Sequence, residues 1–167
     1  MISMLLDRNA LGSSAIGLER LSKIAGDLTP VMDTIGAYLV SSTQRRFTTQ
    51  TGPGGAPWKP SLRATLEGGQ TLLDSGMLRA SIASIAGRNQ VEVGSNKIYA
   101  AIQQLGGTIH AKNVANLRFK IGSHWVSKPS VTLVPRPFIG FDAEDQKEVE
   151  AIVVADLDAA ERGKGRS

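Results

Sequence analysis

His110 and His124 are the side chains best suited to proton transfer near neutral pH, and both lie in a Gly-rich, basic stretch with no acid between Glu92 and Asp142. Histidine catalysis needs a nucleophile within reach or an acid that orients the ring. Metal binding needs three or four ligands at set spacing. Neither arrangement can be built here, so both histidines read as surface loop residues. Serines are plentiful, but no Gly-x-Ser-x-Gly motif occurs. Gly52-Pro53-Gly54-Gly55 lacks the Lys-Ser/Thr of a phosphate-binding loop, and its proline removes a donor amide. The acids of residues 142–162 read as a solvated helix face rather than an acid–base pair. With no cysteine, disulfides, thiol catalysis and cysteine-based zinc sites are excluded. No catalytic centre, cofactor site or metal site is expected, and the chain is not expected to be an enzyme.

Basic residues are the more informative set. Arg45, Arg46, Lys112, Arg118, Lys120 and Lys128 could meet phosphates. Phe119 sits between Arg118 and Lys120, but strand alternation puts it on the opposite face. That favours a buried Phe between two exposed cations, and loose electrostatic contact with a passing duplex over sequence-specific reading. The net charge of +4 is uneven. Residues 1–141 hold 15 Lys and Arg against 7 Asp and Glu, net +8; residues 142–162 hold 2 against 8, net −6; Lys164 and Arg166 add +2. A basic body beside an acidic helix suggests complementary contact within a subunit or between neighbours.

The elements that position these residues follow from periodicity. With 41% hydrophobic but only 5% aromatic residues, the core should be aliphatic. Residues 1–16 have no clear period and read as an N-terminal arm; residues 17–162 read as one domain and 163–167 as a basic tail. Leu18, Leu21 and Ile24 predict a short helix ending near Gly26. Thr29-Pro30 predicts the start of a second helix, with Thr29 as N-cap and Pro30 in the first turn, running to about Phe47. Arg45 and Arg46 fall in its last turn, where cations favour the helix dipole. The Pro/Gly stretch of residues 51–61 is a loop, and Trp58 within it should plug a groove on its own domain or on a neighbour. Asp74 to Ile82 predicts a capped helical turn entering a strand. Gly87-Arg88-Asn89 predicts a hairpin turn between Ile82–Ala86 and Gln90–Gly94. Lys97 to Leu105 predicts a helix stopped by Gly106-Gly107. Leu117 to Ile121 predicts a half-buried strand, residues 122–130 a loop, and Val131 to Val134 a returning strand, together a projecting hairpin or long loop. Asp142 should cap a final helix with Val149, Ile152, Val153 and Leu157 as its buried stripe. The fold class is α+β: a small antiparallel sheet packed against helices, with extended Gly/Pro loops. No run of apolar residues reaches membrane-spanning length.

Five segments carry a resemblance. They are Arg45-Arg46-Phe47; Gly55-Ala56-Pro57-Trp58; Leu72 through Ile82; Val91 to Ser95 leading to Tyr99 through Gly107; and Pro135-Arg136-Pro137-Phe138-Ile139-Gly140-Phe141 before an acidic helix. In this order, over roughly residues 30–158, the chain resembles the phage virion morphogenesis family, the tail completion proteins of Mu-like and related contractile-tailed phages. The resemblance implies a non-enzymatic structural subunit, made in the host cytoplasm and placed in the virion. There it would form a homo-oligomeric ring, expected to be hexameric, that completes or terminates the tail at the neck. Its partners would be the tail tube and the neck or connector proteins, without a membrane. Trp58, Pro57, Trp125, Arg136 and Phe138 are the candidate ring-interface residues. Arg118 and Lys120 are the candidates to face passing DNA. Burial within the subunit is the competing reading for each anchor; it is preferred for Phe47, Tyr99 and Phe138 and stays open for Trp58 and Trp125. Two alternatives are a head-side connector or head-closure protein and a DNA-binding accessory protein.

Overall fold

The computed structural model describes every residue except Arg8, Asn9, Asn113, Ser123 and residues 165–167. Its centre is helix α2, Thr29–Thr49, which packs against a sheet and against the C-terminal helix. Val31, Met32, Ile35 and Leu39 recur at helical spacing and are all buried. Strands β2 (Ile82–Ala86) and β3 (Gln90–Ser95) form the predicted hairpin and take one side of α2. Gly36 allows the close approach, since a Cβ there would meet Ser84 Oγ at 2.8 Å and Val91 Cγ2 at 3.0 Å. Helices α1 (Ser14–Ala25) and α6 (Ala143–Lys164) pack on each other, and α6 also packs on α2. Val149 and Val153 of α6 are buried, with Ile152 and Leu157 packed at the edge of the same core. The core is aliphatic apart from Phe47, Trp58 and Phe138.

Several expectations change, three of them in the main core and at the ends of the chain. Residues 1–16 do not stand apart as an arm. Strand β1, Ile2–Asp7, pairs antiparallel with β3, giving the sheet order β1-β3-β2, and both Leu6 and Leu11 are buried. Thr29 does not cap α2: the cap position is Leu28, and Asp27 Oδ1 accepts from Thr29 N at 3.0 Å and Thr29 Oγ1 at 2.8 Å. Those two bonds hold the exposed Asp27 carboxyl below its ordinary pKa. The final helix runs through Gly163 to Lys164, so the expected tail begins inside it; residues 165–167 lie outside the described residues.

After α3 (Leu62–Glu67), α4 (Met77–Ala80) and α5 (Ala100–Leu105), the chain builds a second, smaller β unit. Strand β4 (Gly107–His110) pairs with β7 (Ser130–Leu133), and between them β5 (Leu117–Ile121) pairs with β6 (His124–Lys128). The predicted loop over residues 122–130 is thus largely a strand. The returning strand near Val131 pairs with β4 rather than with β5. Ala111 N donates to Pro129 O, which continues the β4–β7 ribbon toward the distal hairpin. The fold is α+β, as expected.

Gly94 lies where β1 crosses β3. A Cβ there would stand 2.5 Å from Ile2 O and 2.6 Å from Ser3 Cβ. Gly94→Ala should therefore push β1 off the sheet and destabilise the fold by ~1–3 kcal/mol. Urea unfolding measures the loss, and amide hydrogen exchange over residues 2–7 should rise with it.

Candidate functional site

Two places gather the predicted residues, and they do different work. The first is buried. Arg46 ends α2 and points inward, where its guanidinium meets four acceptors. Nη1 donates to Phe138 O (3.1 Å) and Gly140 O (3.0 Å), and Nη2 donates to Asp142 Oδ2 (3.1 Å) and Asp145 Oδ2 (2.5 Å). Asp145 is 0% exposed, and its remaining capacity is filled by Ser42 Oγ (2.5 Å), Tyr38 OH (3.2 Å) and Asp142 N (3.2 Å). A buried charge pair persists only when its lone pairs and protons are this fully met.

Asp142 caps α6 as expected, accepting from Glu144 N and Asp145 N at 3.0 Å, and also binds Gly54 N at 2.9 Å. Partial burial opposes its charge. The amide donors of Gly54, Asp145 and Glu144, with the Arg46 guanidinium, nonetheless hold its carboxyl below the ordinary value. Tyr38 is pushed up to about 12, first by burial and then by the Asp145 carboxylate. One arginine thus ties the end of α2, the Pro/Gly loop, the segment of residues 138–142 and the start of α6.

Trp58 and Phe138 belong to the same buried place. Trp58 is 7% exposed, its Nε1 donates to Pro137 O at 2.8 Å, and its ring meets Phe47 edge-on at 5.6 Å. Phe138 is fully buried, 5.2 Å from Phe47. Gln104 holds the backbone of this segment, accepting from Phe138 N (2.8 Å) and Ile139 N (3.0 Å) and donating to Ile139 O (2.7 Å). Both aromatic side chains are therefore enclosed by their own subunit. Pro57 is exposed and bridges to Thr51. Tyr99, expected inside, is 37% exposed.

The second place is the β5–β6 hairpin. Lys120 is the cross-strand partner of Trp125, so the two share a face. Arg118, two residues away on the same strand, shares it too. The Arg118 guanidinium lies 5.7 Å from the Trp125 ring centroid, a cation–π distance. Trp125 is 68% exposed. Trp125, one of the ring-interface candidates, therefore meets both DNA candidates on one outward face. Phe119 and Val126 are cross-strand partners on the other face, half-buried, as alternation required. That inner face roofs a 610 Å³ cavity whose walls include Lys59, Lys128 and Arg136. The hairpin tip is tied down by Glu67 Oε1, which accepts from Gly122 N.

Arg136 has an unusual position. It is 6% exposed, donates from Nε to Lys59 O (2.8 Å) and from Nη2 to Pro60 O (3.4 Å), and has no carboxylate partner among the described residues. Burial alone lowers its pKa. Arg45, by contrast, pairs on the surface with Glu144 at 3.1 Å.

Sequence reasoning placed Arg46 in a last turn but missed that it is the buried hub. The signal available was Arg46-Phe47 at a helix end together with an Asp142-x-x-Asp145 helix start. Among the described residues, no group of three or more His, Asp or Glu is placed to hold a metal ion, and no helix is long and apolar enough to cross a membrane.

Removing the Arg46 cation would strand two partly or fully buried carboxylates. Arg46→Met should cost ~3–5 kcal/mol in urea unfolding. Asp142 sets a pH dependence. Because its folded-state pKa is lowered, its contribution is complete above the ordinary carboxylate range and is lost as pH falls through the lowered value. Asp142→Asn should therefore flatten the acid limb of stability against pH, measured by urea midpoints at successive pH values.

Known proteins align with this sequence. The profile of the phage virion morphogenesis family matches residues 14–158. "Mu-like prophage FluMu G protein 2" of Haemophilus influenzae is 36% identical over 91 residues, covering 54% of this chain and 61% of that protein. "Putative capsid assembly protein G" of Escherichia phage Mu is 31% identical over 144 residues, covering 80% of this chain and 81% of that protein. No solved structure matches.

Proposed function

This chain belongs to the phage virion morphogenesis family, and from that premise we propose that it is the subunit of an oligomeric ring that completes the tail where it meets the head. Membership itself assigns a structural role in building the phage particle. The observation that carries the finer reading is the polarity of the subunit. A basic surface, with Lys59, Lys128 and Arg136 around the cavity under the β5–β6 hairpin, lies on one part of the fold, and an acidic helix, α6, lies on another. A subunit with two different complementary surfaces associates head to tail, and such contacts close into a ring when the rotation allows. Six copies are the expected number. The role requires no bond to be made or broken, and no cofactor enters it.

The outward face of the hairpin, with Arg118, Lys120 and Trp125, is the surface proposed to meet passing genomic DNA or an adjacent ring. Its cations suit loose, sequence-independent contact with phosphates. The tail tube and the neck or connector proteins are the remaining proposed partners, and the virion neck the proposed location.

A head-side connector is the second reading, favoured by the name of the phage Mu relative, which refers to capsid assembly. Electron microscopy of particles made without this chain separates the two. Finished heads beside unjoined or irregularly long tails support tail completion, whereas empty or open heads support the head-side role.

In solution, multi-angle light scattering of the concentrated 17.7 kDa chain should report about six copies at low salt. The mass should fall as salt screens the charged contact. A persistent monomer that shifts short DNA would instead favour the accessory DNA-binding role.

A further inference from the structure

The cavity roofed by the hairpin has walls of one charge sign. Lys59, Lys128 and Arg136 surround an apolar floor that includes Phe119, Val126 and Leu133. None of the three cations has an ion-pair partner among the described residues. For Arg136 this is costly, because its buried guanidinium is met only by two backbone carbonyls. The cavity is therefore shaped for a group that presents an apolar side chain between carboxylates.

One stripe of the same chain, half-buried at Glu150 and exposed at Val154 and Asp158, has that chemistry. On α6, Val154 is 52% exposed. Glu150 and Asp158 stand four residues before and after it, so the three line up along one side of the helix. Neither acid has an ion-pair partner among the described residues. Within the subunit, α6 packs against α1 and α2, away from the β unit that carries the hairpin.

We propose that the Glu150–Val154–Asp158 stripe of one copy docks on the Lys59–Lys128–Arg136 cavity of the next copy. This rests on the ring reading above and names the contact that makes the ring. Val154 enters over Phe119 and Val126, while the two carboxylates meet Lys128 and Lys59 at the rim and offer Arg136 its missing counter-charge. Donor and acceptor surfaces differ, so every subunit uses both, and the contact propagates in one direction until it closes.

Charge reversal at exposed positions tests this without touching the core. Lys128→Glu and Asp158→Lys are each made alone and together, with circular dichroism and thermal midpoints confirming the fold. Sedimentation equilibrium of the full chain should show association at least ~tenfold weaker for either single variant and restored for the double variant, because the reversed charges pair again. Wild-type assembly with undiminished association of both single variants would overturn the docking contact and leave the ring reading standing. So would failure of the double variant to recover. A wild-type chain that stays monomeric at every concentration and salt would overturn the ring reading, and the contact with it.

Discussion

A buried arginine cannot be left without partners, and that constraint organises this subunit. Arg46 leaves the end of α2 for the interior, where Asp145 is wholly enclosed and Asp142 partly so. Desolvating three charges is unfavourable by itself. It becomes tolerable because the carboxylate oxygens find further donors in Ser42, Tyr38, Gly54 and main-chain N–H groups, and Arg46 Nη1 finds two main-chain carbonyls. The cluster joins segments about a hundred residues apart in the chain. It fixes how the segment of residues 138–142 enters α6, and so how the acidic face of that helix is turned outward.

Beside this polar knot sits the aromatic trio of Phe47, Trp58 and Phe138. Pro137 O receives the indole N–H of Trp58, so the Pro/Gly loop and the Arg-Pro-Phe segment are held to each other as well as to α2. Arg136, next in line, reaches the carbonyls of Lys59 and Pro60. The loop is thereby drawn under the β5–β6 hairpin, where it forms one wall of the cavity. Rigidity at the centre and projecting surface at the periphery are what an assembly subunit needs. In the proposed ring, contacts with neighbours would be made by elements already in place, with little ordering left to oppose binding.

Much of this was legible in the sequence, where local patterns decide the outcome. The stripe Val31, Ile35, Leu39 gave α2, Gly87-Arg88-Asn89 gave the β2–β3 turn, and Asp142 ahead of Glu144 and Asp145 gave the start of α6. Alternation alone put Phe119 opposite Arg118 and Lys120, as the strand has it. What stayed hidden depends on partners distant in sequence. Strand β1 shows no alternation because Met4, Leu5 and Leu6 are all apolar, although Leu5 points to the open face of the sheet. Strand β6 reads as loop because its Trp faces solvent, and its pairing with β5 is what makes it a strand. Arg46 carried a helix-end signature only, since Asp145 lies 99 residues further on. Trp58 and Trp125, equal on sequence grounds, separate only in three dimensions: one enclosed by Phe47 and Pro137, the other bare beside Arg118.

The role proposed for this polypeptide is to act through surfaces shared with copies of itself at the junction of head and tail. Electron cryomicroscopy of intact particles that carry this protein tests it most directly. The expected result is a closed ring of this chain between tail tube and neck, with Arg118 and Lys120 turned toward the DNA path. A particle that holds the chain as isolated copies elsewhere, or lacks it altogether, would rule that role out.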